Sequence, residues 1–306
     1  MEGTRDIKGR IKAVGNIERI TRTMQLIATA QFQSMQKRAT EAQAYTKRIG
    51  EVVAELSANL GETGEVSNPL LSAPKPAVGR QLILVISSNR GLCGGYNVNL
   101  LRAAMKQIKA GDKIDLQVVG KKAGGFFRFA NVPVDAFHSH ITDKPQYADV
   151  ERLAEDYMQA FTEGKYDSVK VIYTAFVSMS RQEPRVLQLL PLEPPAPKAG
   201  EKTAGTGGTG GTGGASGGGP MTVYDFSPQP EELLGELLPI TVKTSLFQCF
   251  NEATVSEQLM RMVAMKAATD AAGKMQKSLK RKFNRARQSA ITTELSEIIA
   301  GAAALS

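Results

Sequence analysis

No proline occurs before Pro69 or after Pro239, and both end segments carry an apolar or small side chain every three or four residues. At the N-terminal end the run is Ile7, Ile11, Val14, Ile17, Ile20, Met24 and Ile27, then Met35, Ala39, Ala42, Ile49, Val53, Leu56 and Leu60. At the other end it is Val255, Leu259, Met262, Ala268, Ala272, Met275, Leu279, Ala286 and Ala290, continuing through Ile291, Leu295, Ile298, Ala302 and Leu305. Steps of three and four place these residues on one stripe of a helix. Gly9, Gly15 and Gly50 each weaken the first helix by about 1 kcal/mol relative to alanine, so an outside surface has to support it. Residues 4–60 span about 85 Å as a helix and the C-terminal run at least about 80 Å. Globular helices usually run about 8–20 residues. Two such helices in one chain bury each other's stripes most economically as an antiparallel coiled coil. The small side chains of Ala39, Ala42, Ala268 and Ala272 permit close approach.

Between the two helices the pattern changes. Residues 81–87, 114–119 and 169–175 are short runs rich in β-branched residues, alternating with helix-like stretches at 97–109 and 148–163. That order predicts an α/β unit, a Rossmann-like βαβ domain with a mostly parallel sheet. Residues 186–190 read as a further strand, and 231–238 as a short helix behind Pro228 and Pro230. Eleven of the 29 glycines fall between 200 and 219, so 199–220 reads as a flexible insertion without a core. The expected organisation is an N-terminal coiled-coil helix (1–62), a central α/β globule (78–240, insertion included) and a C-terminal coiled-coil helix (241–306).

Composition narrows the function classes. With 42% hydrophobic residues in 306, the chain can build a sizeable core. It has no apolar run of membrane-spanning length. Its first thirty residues carry charges throughout, unlike a secretory leader. Cys93 and Cys249 are too few for a disulfide framework and suit a reducing compartment. The excess of 38 Lys+Arg over 30 Asp+Glu lies entirely in the two end segments. Residues 277–287 alone hold six basic side chains and no acid. Such ends suit an acidic partner: nucleic acid, anionic lipid or acidic protein. Phe283 is the only aromatic residue in that stretch, fewer than single-strand nucleic-acid binding favours.

Catalytic chemistry is hard to find. The loop from Ser88 through Arg90-Gly91-Leu92-Cys93-Gly94-Gly95 to Asn97 follows a strand and opens a helix, a place where backbone N–H groups can cradle phosphate. Its spacing matches neither the dinucleotide fingerprint nor the P-loop, and tight turning with close helix–strand packing explains the glycines equally well. Cys93 has no evident base. His138 and His140, the only histidines, stand i, i+2 in an expected loop without acidic or thiol partners at ligand spacing. The sequence therefore predicts no catalytic residue, no cofactor site and no metal site.

Several motifs resemble the gamma subunit family of F-type ATP synthases. The densest are C-terminal: Ser256-Glu257, Arg261 through Asp270 (RMVAMKAATD), Asn284-Arg285-Ala286-Arg287-Gln288, Ile291 through Ile298 (ITTELSEI), and Gly301-Ala302. The Arg90 to Gly95 loop, Gln188 through Leu192 (QLLPL), Ile7-Lys8 with Arg10-Ile11, Ile20-Thr21 and Met24 follow the same family in the same order. The resemblance implies a non-catalytic rotor stalk coupling proton flow through a membrane c-ring to ATP synthesis or hydrolysis on the beta subunits. Its coiled coil would turn inside a ring of alpha and beta subunits, and its globule would sit on the c-ring beside the epsilon subunit. It would touch the membrane only through that complex, on the cytoplasmic face of a bacterial inner membrane, and would bind no nucleic acid. The family's stator contacts map onto Met24, Arg287, Gln288, Thr292 and Glu294. A basic coiled-coil protein that binds nucleic acid is the alternative.

The chain departs from the family in places. The family usually has Asp where Asn89 stands, a more basic stretch at 31–34, and an Asp-Asn pair where Asp270-Ala271 stands. The stretch at 199–220 looks like an insertion without a family counterpart. The chloroplast type carries two regulatory cysteines close together, whereas Cys93 and Cys249 lie far apart, so no redox switch is expected. The lack of a transit-like leader favours the bacterial type.

Overall fold

A computed structural model of the chain describes residues 4–61, 69–72, 77–111, 113–192 and 230–305. The insertion at 199–220 lies outside them, as do the side chains of Leu56, Leu60 and Leu305. In chain order the elements are α1 (Thr4–Gly61), β1 (Arg80–Ile86), α2 (Tyr96–Ala110), β2 (Lys113–Val119), α3 (Lys121–Phe129), β3 (Ala136–Phe137), α4 (Tyr147–Thr162), β4 (Ser168–Phe176), β5 (Gln182–Leu190) and α5 (Pro230–Leu305). The sheet runs β3-β2-β1-β4-β5, parallel except for β5, which lies antiparallel to β4. The α/β expectation holds.

Period-two side chains on β1 show how the sheet is covered. Leu82, Leu84 and Ile86 point into a core shared with α4 and the N-terminal half of α5. Ile83 and Val85 point the other way, into a core built by α2 and α3. Both faces of β1 are thus buried, which is why its sequence reads as a continuous apolar run. Pro184 sits on β5, an edge strand, where its missing N–H costs no central ladder bond. Asp167 ties the entry of β1 down by accepting from the N–H groups of Val78, Gly79 and Arg80.

Three elements differ from the sequence reading. The segment at 231–238 is the first part of α5, which runs through Pro239 without a break. Proline removes one helical hydrogen bond and crowds the carbonyl four residues back. Here that residue is Gly235, which is exposed, so the freed carbonyl meets solvent. Leu234, Leu238, Val242 and Leu246 are buried on one stripe across the proline and hold the helix together. Helix α3 was not expected because Gly124 and Gly125 interrupt it. Phe137 lies against Gly124, where an added Cβ would come within 3.3 Å of the ring. Strand β3 has two residues, and its edge position follows from its pairing with β2 alone.

The ends of the globule are clamped to α5 by polar contacts. Lys243 Nζ donates to Glu151 Oε1 at 3.0 Å and to Glu155 Oε1 at 2.5 Å, joining α5 to α4. The rings of Tyr147 and Phe247 meet edge-on 5.4 Å apart beside that bridge.

Candidate functional site

Helices α1 and α5 form the antiparallel pair that the stripes imply. Thr269 Oγ1 donates to Thr21 Oγ1 at 2.8 Å across the seam. One turn on, Gly273 faces Glu18, and Gly15 lies so close to Gln276 that an added Cβ would stand 2.9 Å from its Nε2. Continuing that pairing puts Thr4 level with Arg287. Among the buried or half-buried positions of α1, the seam runs through Ile7, Ile11, Val14, Glu18, Thr21, Gln25, Ala28, Phe32, Met35 and Ala39. Their steps alternate four and three, a heptad repeat.

This corrects part of the sequence reading. Ile17, Ile20 and Ile27, assigned to the seam, are 52%, 59% and 52% exposed. The seam passes one residue away, through Glu18, Thr21, Gln25 and Ala28. Ile17, Ile20 and Ile27, with half-buried Met24, form a separate apolar stripe facing out. Sequence periodicity found this stripe but assigned it to the wrong surface, and no signal of polarity alone could separate the two.

Helix α5 outlasts its partner. Every residue from Ile291 to Ala303 is exposed, including Ile291, Leu295, Ile298 and Ile299. The hydroxyls of Thr292, Thr293 and Ser296 donate back to the carbonyls of Gln288, Ser289 and Thr292 at 2.8–3.0 Å, so the tip satisfies itself as a bare helix. Four of the five expected contact residues, Arg287, Gln288, Thr292 and Glu294, lie exposed within two turns of one another at the base of this tip. Met24 does not join them. Its level on α5 is near Lys266, about 30 Å further down the helix pair.

The basic run between these levels divides by face. Lys277, Lys280, Arg281, Lys282, Arg285 and Arg287 are exposed, while Phe283 and Ala286 are half-buried against α1. No described carboxylate pairs with any of the six cations. The stripe is therefore an open positive surface along the shaft.

The glycine-rich loop after β1 is not free to cradle a phosphate, because α5 lies against it. Gly94, at φ +58°, has Ala264 Cβ and Met260 O within 4 Å of where a Cβ would stand. Arg261 donates to Gly91 O at 3.4 Å and to Glu257 Oε1 at 2.7 Å. Both side chains of that pair are less than a tenth exposed. Burial pushes the Glu257 carboxyl above its ordinary range, with Arg261 pulling it back. Asn89 donates to Asp143 Oδ1 at 2.9 Å and accepts from the Lys121 N–H at 3.2 Å. An ionised Asp at 89 could not donate to Asp143. The loop is the joint between globule and shaft, where the glycines allow close packing.

Neither cysteine is poised as a nucleophile. Both are buried and free, and burial pushes both thiols up. His138 and His140 stack edge-on 5.7 Å apart, and His138 Nε2 shares a 2.7 Å hydrogen bond with Gln117 Oε1. Burial first, and His140 second, depress His138. No cluster of three or more metal-ligating side chains occurs among the described residues. Among them no helix is long and apolar enough to cross a membrane.

The ATP synthase family pattern matches residues 3–305. An ATP synthase gamma chain of Rhodopirellula baltica is 40% identical over 310 residues, covering 100% of this chain and 99% of its own length. That of Heliobacterium modesticaldum is 36% identical over 305 residues, covering both chains in full. Among solved structures, a chain of the Euglena gracilis mitochondrial ATP synthase in one rotational state has a TM-score of 0.63 at 15% identity, covering 99% of this chain and 94% of its own. A chain from the central stalk and c-ring of the Tetrahymena thermophila mitochondrial ATP synthase has a TM-score of 0.55 at 17% identity, covering 81% of this chain and 99% of its own. At those identities the structural likeness speaks to the fold.

Proposed function

The chain belongs to the family of ATP synthase gamma chains, and we propose that it turns as the central rotor shaft of such an enzyme. It is a non-catalytic stalk subunit, and the catalytic sites belong to the beta subunits. The bare tip of α5 stands inside a ring of alpha and beta subunits, and the globule rests on the c-ring beside the epsilon subunit. The complex carries the chain at the cytoplasmic face of a bacterial inner membrane.

One observation carries this reading: among the described residues α5 alone continues past the level of Thr4, so the described shaft is double below and single above. Such a shaft has an eccentric cross-section, and turning it presents a different face to each stator subunit in turn. A rotor must grip its surroundings firmly enough to transmit torque and weakly enough to leave each station. Exposed cations along residues 277–287 suit that need, because hydrated and screened ion pairs are shallow. Helix α5 then runs without interruption from the shaft into the globule, so torque at one end reaches the other through one helix.

The test is affinity purification of the tagged chain from native membranes at moderate salt. Alpha, beta, epsilon and c subunits should copurify in fixed proportion. Recovery of nucleic acid without those subunits, lost steeply as salt rises, would support the alternative reading instead.

A further inference from the structure

A small cleft opens where α1, α5 and the loop between β3 and α4 meet. Met35 and Arg38 of α1, Lys144 and Pro145 of the loop, and Asn251 and Thr254 of α5 line it. Its inner space is about 20 Å³, room for one oxygen-sized atom beyond which it opens to solvent. Two of the six lining residues are cations and none is an acid. Both cations are exposed, and neither has an ion-pair partner among the described residues. The two acids adjoining lining residues in sequence are engaged elsewhere, Asp143 by Asn89 and Arg90 and Glu252 by the Gln248 amide.

Asn251 is the unusual member. It is 9% exposed, and its Nδ2 is buried with no hydrogen-bond partner. A buried amide left unpaired costs about 1–3 kcal/mol, so its persistence points to an occupant. Asn251 lines the cleft, and its unpaired amide donor is available to a ligand there. Thr254 cannot offer its hydroxyl hydrogen, since that donates to Phe250 O at 2.8 Å. Two hydrogen bonds between Thr142 and Lys144 hold the loop's backbone in place and set the root of the Lys144 side chain at the rim.

We infer that this cleft is an oxyanion site for inorganic phosphate, with one oxygen seated on the Asn251 amide and the outer oxygens held by Arg38 and Lys144. Arginine's planar fork matches two oxygens of a tetrahedral anion, and lysine adds a point charge. A monatomic anion would use neither geometry. Phosphate bound there ties both helices of the shaft to the globule through one ligand. The site is independent of the shaft's part in rotation.

The test is calorimetric titration of the full chain with inorganic phosphate at constant ionic strength, balanced with chloride. The expected result is one saturable site, weakened about tenfold in Arg38→Gln and in Lys144→Gln and abolished in Asn251→Asp, which puts a carboxylate on the floor. Both rim residues are exposed, so their substitution leaves the fold intact, and at a given phosphate concentration the melting temperature should rise less in the rim variants than in the wild type and not at all in Asn251→Asp. Absence of saturable binding by the wild type would overturn the assignment. Equal binding by the Arg38→Gln, Lys144→Gln double variant would overturn it too.

Discussion

Thr21 and Thr269, 248 positions apart in the chain, meet hydroxyl to hydroxyl at 2.8 Å in the seam between α1 and α5. That contact fixes the register of the whole rod. A slip of one heptad would move Gly15 away from Gln276, whose Nε2 an added Cβ would approach to 2.9 Å, and Gly273 away from Glu18.

Cysteines at both positions should therefore form a disulfide within one chain under mild oxidation. The product should migrate as a monomer on a denaturing gel. Pairing Ile17→Cys with Thr269→Cys should give none, because Ile17 faces outward. Dimers as the sole product would mean that the seam joins two chains.

Gly120 sits at φ +94° where β2 hands over to α3, and an added Cβ would lie 2.2 Å from Ser87 O, at the end of β1. Gly120→Ala should cost about 3 kcal/mol or more, from a strained backbone and a collision with backbone that cannot yield. Thermal unfolding of the full chain would register it as a drop of several degrees. An unchanged melting temperature would contradict the packing described for that crossing.

The buried pair Glu257 and Arg261 separates two effects. Arg261→Met leaves a buried carboxylate without its partner and should cost about 3–5 kcal/mol at neutral pH. Glu257→Gln should be milder. Because burial raises the Glu257 carboxyl in the folded state, the stability it contributes is fully present below its ordinary value of 4.5 and is lost as pH rises through the higher folded value. The wild type should accordingly lose stability relative to Glu257→Gln as pH climbs above 4.5, and a constant difference in melting temperature across that range would refute the assignment.

At the base of the tip, Arg287 and Gln288 are exposed, and their side chains pair with no other described side chain. Changing both to alanine should leave the helix content of the isolated chain unchanged while lowering assembly or ATP turnover of the complex severalfold. Arginine's forked donors would then be answerable for the loss, and Arg287→Lys should restore only part of it. Normal assembly, turnover and pumping in the double variant would remove both residues from the mechanism.

Much of this was legible in the sequence because helix length and strand alternation are coarse signals. Fifty-eight residues without proline can hardly be anything but a long helix once a partner of similar length exists. The seam itself was harder to read. Its central positions are Glu18, Thr21 and Gln25, while Ile17, Ile20 and Ile27 stand one residue away, so hydrophobicity points to the wrong face in that stretch. Pro239 misled for a related reason: a local penalty was outweighed by the buried stripe of Leu234, Leu238, Val242 and Leu246. The grouping of Arg287, Gln288, Thr292 and Glu294 was legible from helical spacing, whereas the separation of Met24 from them depends on register, which no single segment encodes.

Rotation is the most direct test of the central claim. Because Cys93 and Cys249 are buried, a probe coupled to Lys109→Cys, at an exposed position near the end of α2, would mark the globule alone. With the alpha and beta subunits fixed to a surface, adding ATP should turn the probe continuously in one direction. A probe that stays fixed while the same complexes hydrolyse ATP would contradict the rotor account.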